Sequence, residues 1–209
     1  MKKKKVLKIV GIILAILLVI LLIYCIRNIV IFNSLSKVQN VNNYAYAFTQ
    51  GEGETEVYCK DGTTKEIRKY DDGTTDIIWY NSYTKEAIFV SGQNKTAYID
   101  TSDRSSTSSA GEVIVQTAIS NNTAGRIYKA LTTFITTEEV DGVECYVLKP
   151  WRGVTSNTYY FNKETKTLEQ AIIGLDAPRT KFYNWKINEV TDEDISVPDL
   201  SDYEVTDER

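Results

Sequence analysis

From Ile9 to Ile26 the chain reads IVGIILAILLVILLIYCI, 18 residues without a charge. A run of that length suits a transmembrane helix, because about 20 apolar residues cross the hydrocarbon core of a bilayer. Val6 and Val30–Phe32 extend it if Lys8 and Arg27 reach back toward headgroups. The alternative is a cleaved signal peptide, whose apolar region is about 7–15 residues long and ends at small residues. Here the run is longer, and bulky Tyr24, Ile26 and Ile29 stand where small residues are needed. Cys25 offers a lipoprotein signal its cysteine, but Tyr24 precedes it in place of Gly, Ala or Ser. Beyond the run, Ile31, Leu35 and Val38 recur at helical spacing, so the helix is expected to continue as a stem to about Gln39.

Past Asn43 the pattern changes to alternation. Tyr44, Tyr46 and Phe48 interleave with Ala45, Ala47 and Thr49, the period of a strand. Short runs follow, each ended by a turn signal: GETEVYCK by Asp61-Gly62, KEIRKY by Asp71-Asp72-Gly73, TTDIIWY by Asn81-Ser82, KEAIFV by Ser91-Gly92, then KTAYID. Asp-Gly and similar pairs supply the positive φ angles of tight hairpins. Parallel strands need crossovers of about a dozen residues or more, for which there is no room, so this is an antiparallel meander. The polar stretch Thr101–Gly111 reads as a solvated loop. Glu112–Ile119 reads as a short helix, although Val113-Ile114-Val115 also suits a strand. Ile127, Ala130, Leu131 and Phe134 form one helical stripe, with Asn122 or Thr123 placed to cap it.

Strands return after Ile135. TTEEV, Asp141-Gly142 and VECYVLK make the strongest hairpin signal in the chain. Two more strands surround the Lys163–Lys166 turn in NTYYFNKETKTLEQAII. The last long strand is RTKFYNWKINEV, with Tyr183, Trp185 and Ile187 expected on one face. The tail TDEDISVPDLSDYEVTDER reads as an irregular strap anchored by Leu200 and Tyr203. The fold class is therefore α+β: a single N-terminal transmembrane helix, then a curved antiparallel sheet, an unclosed half-barrel, covered by helices. The expected divisions are a basic N-terminus at 1–8, a transmembrane helix at 9–32, a helical stem at 33–43 and a domain at 44–209 whose acidic tail is 190–209.

Charge fixes the orientation. Residues 1–37 carry seven positives and no acid, five of them (Lys2–Lys5 and Lys8) before the apolar run. Positive charge stays in the cytoplasm, so the domain is expected on the outer side of the cell membrane. Residues 38–209 carry 17 Lys and Arg against all 28 Asp and Glu, which leaves −11. A body this acidic repels phosphate backbones and argues against a nucleic-acid partner. The absence of histidine removes imidazole-based triads, dyads and His-ligated zinc. There is no phosphate loop, no dinucleotide fingerprint, no nucleophile elbow and no C-x-x-C, so neither a cofactor nor a metal is expected. Asp192-Glu193-Asp194 lacks calcium-loop spacing.

What remains is apolar chemistry. Trp79, Phe89, Tyr98, Tyr159, Phe161 and Trp185 are candidates to line a ligand groove, and their alternative role is plain core. Cys59 shares parity with Val57, and Cys145 with Val143 and Val147, so both thiols point at an apolar side. A Cys59–Cys145 disulfide forms if their Cα atoms come within ~7 Å; two buried free thiols are the alternative.

The order of elements resembles the LolA/LolB-like superfamily of outer-membrane lipoprotein carriers and MucB/RseB-like domains, in a membrane-anchored Gram-positive form. Three stretches carry the resemblance: the meander from Asp72-Gly73 to Asp100, Asp141–Leu148 followed by Tyr159–Thr165, and Val190-Thr191-Asp192 to Pro198-Asp199. The resemblance implies an unclosed β-barrel covered by helices that holds acyl chains or senses envelope lipoproteins. A tethered domain departs from soluble carriers, because it does not cross a gap to a distant membrane. Two functions follow: a non-catalytic module whose groove binds a lipid, acyl chain or lipoprotein, or a regulatory domain that docks on another membrane protein with its groove filled.

Overall fold

A computed structural model describes residues 2–39, 41–50, 53–101, 114, 117–120, 122–151, 157–174 and 177–209. Helix α1 (Lys2–Gln39) runs unbroken through the apolar segment and the stem. Within it, Lys8–Val38 is long and apolar enough to cross a membrane. Six strands follow: β1 (Asn43–Gln50), β2 (Gly53–Lys60), β3 (Thr63–Lys69), β4 (Thr75–Asn81), β5 (Glu86–Ser91) and β6 (Thr96–Asp100). Helix α2 (Thr123–Thr132) precedes β7 (Thr133–Val140), β8 (Val143–Pro150), β9 (Thr158–Asn162), β10 (Leu168–Ile172), β11 (Arg179–Ile187) and β12 (Glu204–Asp207).

All twelve strands form one sheet in the order β12-β6-β5-β4-β3-β2-β1-β11-β10-β9-β8-β7. Two meanders meet where β1 pairs with β11. The turns use the chemistry their sequences offer: Asp61-Gly62 and Asp141-Gly142 have positive φ at both positions (47° and 79°, 52° and 82°), the primed geometry that matches strand twist. Asn122 caps α2, its side chain accepting from Gly125 N at 2.7 Å. The result is an open half-barrel with helices on one face.

That inner face is the main core. Ile31, Phe32 and Leu35 of α1 meet Tyr46 and Phe48 of β1, Val57 of β2, Phe182 of β11, Leu168 and Ala171 of β10, Tyr159 and Phe161 of β9, and Leu148 and Ile135 of β8 and β7. The stem of α1 is thus part of the domain, as the Ile31–Leu35–Val38 spacing predicts. Two smaller clusters lie on the opposite face. Trp79, Ile88, Val90, Ala97 and Ile99 pack under Leu200 and Tyr203 of the tail. Val140, Cys145, Val147 and Tyr160 form the other.

Several expectations are corrected. Phe134 does not extend the helical stripe: α2 stops at Thr132 and the β-favouring run TFITT opens β7. Tyr183 does not share a face with Trp185 and Ile187. Asn184 at φ 55° and a register shift in the β1–β11 pairing insert a bulge, so Trp185 joins the main core while the Tyr183 hydroxyl donates to Glu54 at 2.8 Å. The tail is not wholly irregular, because its end adds β12 in parallel to β6, the sheet's one parallel pairing among the described residues. Apart from Thr101, the stretch Thr101–Gly111 lies outside the described residues. Of Glu112–Ile119, Ile114, Thr117 and Ala118 are helical, and Ile114, Ala118 and Ile119 are buried in the main core.

Candidate functional site

Strand register makes the inner face one continuous surface from β11 to β12. Phe48, Tyr46 and Tyr44 stand opposite Thr55, Val57 and Cys59; these oppose Arg68, Glu66 and Thr64, which oppose Asp76, Ile78 and Tyr80. Ile78 then opposes Phe89, Phe89 opposes Tyr98, and Tyr98 opposes Thr206. Burial falls along that row: Tyr46, Val57 and Glu66 are buried, whereas Ile78, Phe89 and Tyr98 are half-buried.

The half toward β7 is filled by the protein itself. Phe32 and Leu35 are 1% and 0% exposed, and they occupy the hollow in which the sequence alone leaves room for a ligand. The half toward β12 holds a groove of about 450 Å³ whose lining includes Arg68, Asp76, Ile78, Phe89, Tyr98 and Thr206. Its volume lies within the range of small-molecule sites, about 300–1,000 Å³. The floor is apolar, with the Phe89 and Tyr98 rings 6.4 Å apart. The rim is polar. Arg68 binds the buried Glu66 through two nitrogens, each 3.0 Å from the same carboxylate oxygen, with its own side chain 46% exposed. Asp76 accepts from Gly92 N at 3.1 Å and from the Tyr70 hydroxyl at 2.9 Å. That arrangement suits an apolar chain with a polar end, held without covalent chemistry. Among the described residues no group of three or more Cys, Asp or Glu is placed to hold a metal ion.

The six aromatic candidates do not converge. Phe89 and Tyr98 line the groove on β5 and β6. Tyr159 and Phe161 are 1% and 0% exposed and sit in the main core beneath the stem. Trp79 belongs to the cluster on the other face, and its indole nitrogen donates to Ile195 O at 2.8 Å. Trp185 packs 4.7 Å from Tyr46, donates to Leu168 O at 2.9 Å, and borders a separate hollow of about 360 Å³ at the bulge.

Of the two cysteine alternatives, the structure shows the unbridged one. Cys25, Cys59 and Cys145 form no disulfide. Cys59 lies on the inner face of β2 and Cys145 in the outer cluster of β8, with β1, β11, β10 and β9 between their strands, so the two thiols stand on opposite faces of strands that are not neighbours. Burial, with Glu169 and Glu138 nearby, pushes the Cys145 thiol up to about 11.

Glu66 and Arg68 escaped the sequence reading. The alternation in KEIRK carried the signal, because it sets both charges on the face opposite Ile67, in parity with Val57. An inward acid with its own arginine marks the boundary between the filled and open halves.

No family model matches the chain, and neither does any curated protein. Solved structures do. A DUF1329 family protein from Desulfovibrio piger is 11% identical at a TM-score of 0.31, over 83% of this chain and 97% of that one. MucB is 11% identical at a TM-score of 0.49, over 84% of this chain, which spans 63% of MucB. A LolA superfamily protein from Nitrosomonas europaea is 9% identical at a TM-score of 0.31, over 80% and 96%.

Proposed function

We propose that the chain is a membrane-tethered, extracytoplasmic binding domain for an apolar ligand, acting without turnover. Helix α1 is the anchor and the basic N-terminus lies in the cytoplasm, held there by Lys2–Lys5 and Lys8. The membrane exit is near Arg27–Asn28, because the residues of α1 buried by the domain (Asn28, Ile31, Phe32, Leu35 and Ser36) begin there. The ligand seat is the groove on β3–β6 and β12. The observation that carries this reading is the row Ile78–Phe89–Tyr98, which continues the apolar inner face past the point where helices cover it. The groove crosses four strand spacings, about 19 Å, a length that suits an extended acyl chain from a lipid or lipoprotein. A second reading has its own support: Phe32 and Leu35 already fill the deepest part of the hollow, which favours a domain that docks on a membrane partner.

A dansyl-labelled undecanoic acid separates the two. Added to the full chain in nanodiscs, it should give saturable energy transfer from tryptophan with a Kd of about 1 μM or tighter, above the signal of empty nanodiscs. Phe89→Ala should weaken binding about tenfold, the effect of losing ~1.4 kcal/mol of contact. Transfer that rises without saturation, unchanged by Phe89→Ala, would leave the docking reading.

A further inference from the structure

Helix α2 is amphipathic, yet its apolar side is not the side it buries. Ala130 is its one buried residue, resting against α1 and the core. At 100° per residue, Ile127, Leu131 and Tyr128 follow Ala130 around the helix as one arc about 100° wide, and Arg126 and Lys129 fall on the other side. All three arc residues are exposed, Tyr128 the most at 60%. Immediately beyond the helix, Phe134 and Trp151 are 55% and 68% exposed, with their rings 6.2 Å apart. Trp151 N donates to Thr132 O, which ties this aromatic pair to the end of α2. Five large apolar side chains therefore stand exposed around the junction of α2 with β7, and among the described residues each keeps much of its surface uncovered.

The depth of that patch is fixed by α1. Asn28 Nδ2 donates to Ala130 O at 3.0 Å and to Thr133 O at 3.2 Å. The Tyr24 hydroxyl donates to Thr133 O at 3.4 Å and accepts from Ile135 N at 3.3 Å, and an Arg27 guanidinium nitrogen lies 3.4 Å from Ile135 O. These polar side chains supply the edge strand β7 with partners and hold α2 and β7 level with residues 24–28 of α1. The uncharged run from Ile9 to Ile26 rises about 27 Å, close to the ~30 Å hydrocarbon core. Residues 24–28 then mark its outer boundary, and the patch lies beside the span at the same level.

We infer that α2, Phe134 and Trp151 insert into the interface of the outer leaflet, so that the domain rests on the bilayer instead of swinging on its stem. The chemistry fits that solvent. Trp and Tyr favour the headgroup level, an amphipathic helix lies in the interface plane, and the Lys149 ammonium on the strand position opposite Phe134 can meet lipid phosphate. The patch is uncharged although the domain is strongly acidic, which is the distribution a bilayer contact requires. Seating here would hold β7 at the membrane and leave the other edge of the sheet, with its groove, farther along the same curved surface.

The inference rests on α1 spanning the bilayer, and the test separates the two. The full chain is reconstituted in phosphatidylcholine vesicles with and without bromine on the acyl chains, and its resistance to alkaline carbonate extraction is measured alongside. Tryptophan emission should be quenched by brominated lipid. Trp151→Phe, an exposed change that keeps the fold by near-UV circular dichroism, should abolish that quenching, since Trp79 and Trp185 are shielded by protein. Leu131→Glu with Phe134→Glu should reduce it with Trp151 still present. An extraction-resistant chain whose quenching is absent, or unchanged in Trp151→Phe, would overturn the seating and leave the anchor standing. Absence of quenching with Trp151 protected from acrylamide would point to a protein on the patch and would equally overturn it. Extraction by carbonate would overturn both.

Discussion

Truncating Leu35 should destabilise the domain although Leu35 belongs to the helix that begins with the long apolar run. Its side chain is 0% exposed and packs among the inner-face residues with Phe32. Leu35→Ala removes three buried carbons and leaves a cavity whose walls, strands on one side and α1 on the other, cannot both move in. Such changes cost about 2–5 kcal/mol, and Phe32→Ala about 3–5 kcal/mol. For a domain of this size, 1 kcal/mol moves Tm by roughly 2–4 °C, so Leu35→Ala should lower it on the order of 4–20 °C. The assay is thermal unfolding of the full chain in nanodiscs, followed by tryptophan emission, because Trp185 reports on the same core. Ile20→Ala is the control: it lies on the same helix, is 58% exposed and outside the domain core, and should leave Tm unchanged. If Leu35→Ala and Phe32→Ala both behave like Ile20→Ala, the stem is a tether and the hollow is free for a ligand.

Other outcomes follow from the same geometry. Asn28→Ala removes the donor serving Ala130 O and Thr133 O and should cost about 1–3 kcal/mol by the same unfolding assay. Alkylation of the unreduced, denatured chain should count three thiols, and in the folded chain Cys145 should stay unmodified at pH 8, where a pKa near 11 leaves about 0.1% thiolate. Burial and then Glu56 push the Tyr58 phenol up to about 12, and burial and then Glu54 do the same for Tyr183. The unfolded chain therefore releases these protons first, so stability should fall as pH rises from 10 toward 12, and denaturant midpoints should show little change from these groups below pH 10. A protease that cannot cross the membrane should digest residues beyond about 35 in intact cells; protection of the domain would reverse the orientation.

The hairpins were legible because their information is local. Asp61-Gly62 and Asp141-Gly142 state the turn, and alternation on either side states the face. The stem was legible from the spacing of Ile31 and Leu35. Features set by distant partners were not. The Asn184 bulge puts Tyr183 and Trp185 on opposite faces, and in RTKFYNWKI only Asn184 itself, a residue that tolerates positive φ, hints at it. β12 is short, acidic and exposed along its whole length, so it carries no periodicity and exists because β6 offers an edge. Of the groove candidates, Phe89 and Tyr98 line the open half of the inner face, while Tyr159 and Phe161 look alike in sequence and differ because α1 folds over them. The polar residues Tyr24, Arg27 and Asn28 read as the frayed end of an apolar run, yet they serve the backbone of β7 from over 100 positions away.

The groove is tested most directly by a diazirine-bearing fatty acid photo-crosslinked to the full chain in nanodiscs, with the adduct mapped by mass spectrometry. The expected adducts fall on β4–β6, among residues 76–98, and disappear with excess unlabelled fatty acid. Adducts confined to residues 9–27 and insensitive to competitor would mean that the probe meets the protein only as bulk lipid, contradicting a ligand seat on the sheet.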